Sequence, residues 1–420
     1  MSKRTYRAKE IKRVEVSALS EQVSGRAVVF GVDVAKQWQY GALQVAGEVL
    51  GIWRWRQPEE TRELLSLLRS LGASAVSLVM ESSGTYGDAL REQAYGQGFS
   101  VYQVSPKRVK DAQEVYDGVP SRHDAKSAVL LAWLHEQGRS RSWERESDEA
   151  RELRARLWLL EMSRKAEQVQ RNRLEGLLAR HWPELLALSS LENASTLELL
   201  VVYGGSRGVR EDIAGSRELL RRVGGTFLRQ EQIEKVISSA TVTTGVAMVA
   251  AEEELVQYLA REARRSQQEA QQRERAIKAS VAGCPELKVL AEAVGEVTSA
   301  ALVVLVGDPR RYANAGSYQK AMGLNLKEVS SGQRQGQLSL SKRGPGRARF
   351  WMFFAALRVI QQDAVVRSWY EAKVARDGGT RMKAVVAVMR KLTKALWHVG
   401  RGERFDSRRL FDVKRLDLAA

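Results

Sequence analysis

Three acids stand where a carboxylate needs a reason. Asp33 interrupts the apolar run VVFGVDVA. A carboxylate among apolar neighbours costs free energy unless it is paired or metal-bound. Glu81 ends the strand-like run VSLVMES, and strand ends of α/β sheets form sites. Asp124 opens the apolar helical run SRHDAKSAVLLAW. Three acids on three elements suit an oxygen-ligand magnesium site. Two such ions can activate an attacking oxygen and steady a leaving one in phosphodiester cleavage. Each acid also has a plainer reading. Asp33 fits a strand-end acid bonded to backbone, and Glu81 a cap of the next helix. Asp124 with Ser121 makes an S-x-x-D capping box, the better reading in isolation. Together, in the strand order read below, the three favour the metal site.

A second constellation lies in EVSSGQRQGQLSLSKRGPGRAR. Ser330 and Ser331 precede a glycine, and Arg334, Lys342, Arg343, Arg347 and Arg349 follow. A serine oxygen alone is a poor nucleophile. Arginines that hold a phosphate and stabilise charge in the transition state make it useful. The same residues describe a phosphate-gripping loop with hydroxyl donors, and on spacing alone the loop is the better reading. The sequence has no P-loop and no Ser-His-Asp set. Trp53, Trp55 and Trp351 read as core or strand-face residues rather than base-stacking platforms.

The elements that must carry these residues follow from periodicity. Residues 1–25 look like a basic, charged arm. RAVVFGVDVA, WQYGALQVAG and VLGIWRWR read as a three-strand meander. PEETRELLSLLRSLG reads as a helix with Pro58 early and Gly72 past its end. A strand (AVSLVMES), a helix (YGDALREQAYGQG), a strand (SVYQVSP), a short helix through Val109 and the helix opened by Asp124 complete the order. Three antiparallel strands feeding a parallel crossover predict a mixed sheet covered by helices, as in a ribonuclease-H-like fold. Residues 146–284 read as helical. Val256, Ala263, Ala270 and Ile277 recur every seven residues, a thin coiled-coil seam. That block is either a helical spacer or a dimerising arm, with a helical insert at about 186–246. From Pro285 the texture turns mainly helical again. ELKVLAEAVGEVTSAALVVLVGD predicts helix, Gly295 turn, helix, whose helix start can grip a phosphate.

Composition narrows the class. Lys and Arg total 67 against 50 Asp and Glu, a formal charge of +17. Such an excess points to a polyanionic partner, most often nucleic acid. One cysteine, Cys284, excludes an internal disulfide framework and a cysteine zinc site. No apolar stretch has the ~18 residues of a membrane span. The basic start lacks the apolar segment of a secretory signal. The expectation is a soluble protein of a reducing cytosol, with no membrane contact.

GVDVAK, MESSGTYGDAL, SPKRVKDAQEV…PSRHDAKSAVLLA and AMGLNLKEVSSGQRQGQLSLSKRGPGRAR occur in that order. The set resembles the DEDD-type insertion-sequence transposases, the group that includes the Piv and MooV DNA invertases and the bridge-RNA-guided recombinases. The resemblance covers about residues 26–140 and 285–400. It implies a RuvC-like domain (26–145), a coiled-coil arm (146–284) and a mainly helical C-terminal transposase domain (285–420). It also implies a dimer of dimers, a structured bridge RNA as guide, donor and target DNA as substrates, and two magnesium ions. Asp33, Glu81 and Asp124 match the first three acids. Ser331 matches the nucleophile that forms a phosphoserine link to DNA, with Ser330 second, in a site shared between subunits. One position departs: the family reads D-x-x-D-A where this chain has D-A-K-S-A. The fourth acid is Ser127, or, in the other alignment, Ser121 replaces the third. Asp117 is an outside candidate. Ser127 keeps open a nucleic-acid-binding relative without strand transfer; a nuclease using metal-activated water, with Ser331 only contacting phosphate, is a third reading.

Overall fold

The computed structural model describes residues 6–82, 84–331 and 334–411, without the side chains of 329, 331, 334, 335 and 337. The chain divides into two units, Met1–Ser147 and Asp148–Ala420.

The first unit is a seven-stranded mixed sheet with helices on both faces. Its strands are β1 (Lys9–Glu10), β2 (Ala27–Asp33), β3 (Trp38–Val45), β4 (Glu48–Arg56), β5 (Ala75–Glu81), β6 (Ser100–Val104) and β7 (Arg141–Ser142). They lie in the order β1-β4-β3-β2-β5-β6-β7. The β2–β3–β4 meander is antiparallel, and β5 and β6 continue it in parallel with β2. This is the arrangement read from the strand periodicity. The helices are α1 (Val16–Val23), α2 (Thr61–Ser70), α3 (Asp88–Gly96), α4 (Pro106–Asp117) and α5 (Asp124–Glu136).

Alternation along β2 sends Val28, Phe30 and Val32 to one face, where they pack with Trp53, Trp55 and the leucines of α2. Val29, Gly31 and Asp33 take the other face, beneath α5. That helix presents small residues to the sheet: Ala125 and Ala128 cluster with Ala42 and Ile52. Contact at Gly31 is closer than any side chain allows. A Cβ there would lie 2.2 Å from the Ala128 carbonyl oxygen and 2.6 Å from the Ala132 nitrogen. Gly41 plays the matching part on β3, where a Cβ would strike the Phe30 ring at 2.1 Å.

Three expectations change. Residues 6–25 are no free arm: β1 pairs with the edge strand β4, and Ile11 and Val23 are buried. α2 starts at Thr61, three residues after Pro58. The helix expected to stop near Val109 runs on to Asp117, because Val109, Ala112 and Gln113 form a buried face.

The second unit is helical except for one hairpin. α6 (Asp148–His181) and α12 (Ala250–Ala282) run antiparallel along each other. Between them come α7 (Pro183–Leu188), α8 (Ala194–Tyr203), α9 (Ser206–Glu211), α10 (Ile213–Gly224) and α11 (Gln230–Thr241), around Trp182 and Leu200. The heptad residues Val256, Ala263, Ala270 and Ile277 are all buried, and their cover comes from the same chain, from α6 with α8 at one end and α14 at the other. Then follow α13 (Pro285–Val294), α14 (Glu296–Val306), α15 (Ala315–Ala321), the hairpin β8 (Leu326–Ser331) with β9 (Arg334–Leu340), α16 (Gly346–Gln362), α17 (Ala364–Arg376) and α18 (Arg381–Val399). The turn between α13 and α14 is Gly295, at φ 80°, as expected. Met322, Met352, Val388 and Leu392 centre this core. Among the described residues no single helix is long and apolar enough to cross a membrane.

Gly31→Ala should force α5 off the sheet, because its Cβ would meet backbone rather than a flexible side chain. The expected loss is about 2–3 kcal/mol in urea unfolding of the first unit. Wild-type stability in that variant would refute the close seating of α5.

Candidate functional site

The α5 seating assembles an acidic edge. Asp33 is the last residue of β2 and Glu81 the last of β5, the strand beside it in parallel. Val32 pairs with Met80, so the two acids follow one step on at the same sheet edge. Asp124 is the first residue of α5, whose end nearest that edge carries the favourable N-terminal dipole. Ser127 sits one turn in, and its hydroxyl donates to the Asp33 carboxylate.

Asp33 shows what this arrangement costs. Burial, then the charges of Asp124 and Glu81, push its carboxyl up from 3.8 to about 7, against the opposing hydrogen bond from Ser127. The donor set, three carboxylates and a hydroxyl, fits a hard divalent cation, which would relieve the repulsion. The carboxylates do not yet close a cage. Among the described residues no group of three or more His, Cys, Asp or Glu is arranged to hold a metal ion.

The start of α5 is fixed by contacts the sequence did not reveal. The N-cap is His123, not Ser121: its Nδ1 accepts from the Lys126 backbone N–H at 3.2 Å. The S-x-x-D capping box is therefore not formed. Lys126 is buried; its ammonium donates to Asp117 (2.7 Å) and to the Val119 carbonyl (2.5 Å). Tyr6 donates to the same Asp117 at 2.7 Å and stacks edge-on against His123. Lys126 and then Tyr6 hold the Asp117 carboxyl down, to about 2. Asp117 thus serves an ion pair that braces the helix start, and it is not among the charges that raise Asp33.

The serine segment forms the β8–β9 hairpin. Ser330 donates to Glu328 Oε1 at 2.5 Å and accepts from the Gly336 N–H at 3.3 Å. Glu328 was not singled out in the sequence, although i and i+2 share a strand face. Ser331 ends β8 opposite Arg334. The side chains of Ser331 and Arg334 lie outside the described residues.

The basic residues that follow divide into two kinds. Lys342 and Arg343 are exposed on a loop seated against the turn at Gly323. Arg349 donates to the Met322 carbonyl (3.3 Å) and to that of Gly344 (2.9 Å), clasping the loop to the turn. A Cβ at Gly344 would lie 2.3 Å from the Ala321 carbonyl, so the clasp needs glycine there. Arg347 pairs with Glu161 on α6. Arg347 and Arg349 are therefore already engaged within the chain. Trp53, Trp55 and Trp351 are all buried, as expected.

Two family models match. One, described as a transposase and carrying the DEDD motif of the IS110 group, spans residues 30–183. The other, the IS116/IS110/IS902 family of transposases, spans 291–371. The chain belongs to the IS110-type DEDD transposases. The first match contains all three acids of this transposase, and the second contains the serine hairpin and its clasp. Between them lie the helical insert and α12. No curated protein matches the transposase chain. Membership makes it an enzyme that acts on DNA.

The raised carboxyl gives a test. Below about pH 4, Asp33 is protonated in folded and unfolded chains alike. Between about 4 and 7 the folded chain keeps a proton that the unfolded chain releases, so stability falls as pH rises through that window. In metal-free buffer Asp33→Asn should raise the melting temperature at pH 8 and leave it nearly unchanged near pH 4. A variant no more stable than wild type at pH 8 would rule out the buried-charge account.

Proposed function

We propose that this transposase is a magnesium-dependent, RNA-guided DNA recombinase with a serine nucleophile. The observation that supports it is the gathering of Asp33, Glu81 and Asp124 at one sheet edge, close enough that two of them raise the third. In this reading residues 26–145 are the RuvC-like domain, 146–284 a coiled-coil arm and 285–420 the transposase domain. The partners are donor and target DNA and a structured bridge RNA, in keeping with the +17 charge. The assembly is a dimer of dimers in the bacterial cytosol, and one subunit's acids serve another's serine.

The chemistry follows from the residues. Ser331 Oγ attacks phosphorus; the P–Oγ bond forms as the bond to the leaving sugar oxygen breaks. The electron pair leaves with that oxygen, which takes up the proton that the serine hydroxyl gives up. A sugar hydroxyl of the second DNA then attacks the phosphoserine, its proton passing to the released serine oxygen as the strands are joined. Two magnesium ions held by Asp33, Glu81 and Asp124 would supply Lewis-acid stabilisation of the attacking and leaving oxygens. Ser127 contributes a hydrogen bond to Asp33 where the family has a fourth charge. Lys342 and Arg343, exposed beside the hairpin, fit phosphate contacts, with Arg334 as a further candidate.

The decisive experiment traps the protein on DNA as a covalent adduct, with the flanking RNA, magnesium and both DNAs present. Ser331→Ala should lower adduct yield on the order of a thousandfold or more. Wild-type yield in that variant would move the nucleophile elsewhere, and Ser330→Ala then tests the neighbour. Free DNA ends without adduct would indicate the water-using nuclease; binding without any exchange would indicate the non-catalytic relative. Asp124→Ala should abolish cleavage and leave RNA binding largely intact. Ser127→Asp should keep or raise metal-dependent activity, and a clear loss would place Ser127 away from the metal edge.

A further inference from the structure

We propose that Arg56, held against Trp38, grips a backbone phosphate of the DNA strand that runs into the acidic edge. The proposal rests on the reading of Asp33, Glu81 and Asp124 as the site that receives the scissile phosphate. The sheet register builds the feature. Asp33 pairs with Tyr40, and Tyr40 with Arg54, so the three stand in one row across β2, β3 and β4. Residues directly opposite one another share a face, here the face that α5 covers. Tyr40 packs there against the cluster of Ala125 and Ala128. Trp38 and Arg56 form the next row on that face, two residues further toward the acidic edge. Both guanidiniums lie over the Trp38 ring, each 4.9 Å from its centroid.

The two arginines differ in what holds them. Arg54 donates to Glu10 Oε1 at 2.7 Å, and Glu10 is also its register partner on β1. Its charge is met within the chain. Arg56 is exposed. Glu60, which accepts the Arg56 backbone N–H at 2.8 Å, is taken by Lys12 Nζ at 2.8 Å, and the Arg56 charge is the last of the influences on that carboxyl. Among the described residues no ion pair holds the Arg56 guanidinium. A guanidinium stacked on an indole keeps its donors free at the rim, in a fork that matches a phosphate. The ring thus orders the side chain before the ligand arrives, and less freedom is lost on binding. Strand spacing and rise put the Arg56 backbone roughly 12 Å from that of Asp33. A DNA strand carries one charge per ~3.4 Å of duplex axis, so the gripped phosphate lies about two to four nucleotides from the scissile one. The neighbouring acids act on DNA, which selects the DNA strand over the guide as the occupant.

The test measures binding rather than cleavage. Full-length protein carrying Asp124→Ala, with its flanking RNA, leaves the DNA uncut while affinity is followed across a salt series. Adding Arg56→Gln should weaken DNA binding about tenfold and lower the slope of log affinity against log salt by about one. Arg56→Lys should restore much of both, and Trp38→Leu should cost about threefold. A methylphosphonate, which removes one backbone charge, is then moved one phosphate at a time along the cleaved strand. One position, about two to four nucleotides from the scissile bond, should cost the protein with Arg56 about tenfold and the Arg56→Gln protein nothing further. The melting temperature of Arg56→Gln should match that of its parent, since the side chain is exposed. An unchanged affinity and salt slope in Arg56→Gln, or additive losses at every position, overturns the proposal. So does a loss of RNA binding with DNA binding unchanged, which would assign Arg56 to the guide. The adduct experiment fails separately: wild-type yield in Ser331→Ala moves the nucleophile and leaves this contact, whereas an unchanged slope in Arg56→Gln removes the contact and leaves the nucleophile.

Discussion

Everything at the acidic edge depends on how closely one helix can approach one strand. At Gly31 the backbone of α5 rests on the backbone of β2, with no side chain between them. The seating places the N-terminus of α5 over the C-terminal end of the strand, so Asp124 and Ser127 arrive beside Asp33. A larger residue at 31 would lift the whole helix and carry two of the site's side chains with it. Contacts on either flank keep the helix from sliding. Gln44 donates to the Val129 carbonyl in the buried interface, and Glu136 accepts the Gly47 N–H near the far end.

Holding three acids together is unfavourable, and the fold supplies counterweights away from the site. The Lys126 ammonium is buried under the first turn of α5, yet it pairs with Asp117 rather than with the cluster. The cation nearest in sequence is thus taken out of contention. The acids keep their mutual repulsion, and the hydroxyl of Ser127 softens it without adding charge. Desolvation is the largest influence on Asp33, ahead of the charges of Asp124 and Glu81.

The sheet was legible because its signal is local. Strands with period-two alternation and a two-sided core declare themselves in runs such as VVFGVDVA, and Asp33 stood out against them. Glu81 and Asp124 could be read as neighbours of Asp33 only once strand order placed them together. Gly31 was silent, since its meaning lies in what packs above it. Lys126 was equally silent: a lysine in a helix reads as solvated until its partner, nine residues back, is known. The capping reading failed because His123, whose ring accepts the same kind of bond, took the place given to Ser121. The heptad seam was real in its burial, but a repeat every seven residues does not say whose helix fills it. The basic run 342–349 looked uniform in sequence, and only packing separated the exposed Lys342 and Arg343 from the clasping Arg349.

The polar middle of the α6–α12 pair has a consequence of its own. Apolar contacts gather at the two ends, Leu157 with Ile277 at one and Leu178 with Val256 at the other, while Arg164–Glu274 and Ser163–Glu269 bridge the stretch between. A helix of 34 residues spans about 50 Å. The chain therefore travels out along one rod, folds α7–α11 against the far half of the pair, where Arg171 and Gln267 reach Glu192, and returns along the other. The pair therefore sets how far the α7–α11 cluster stands from the α13 end of the rods. Lengthening both rods by one turn would move that cluster about 5 Å further along the pair.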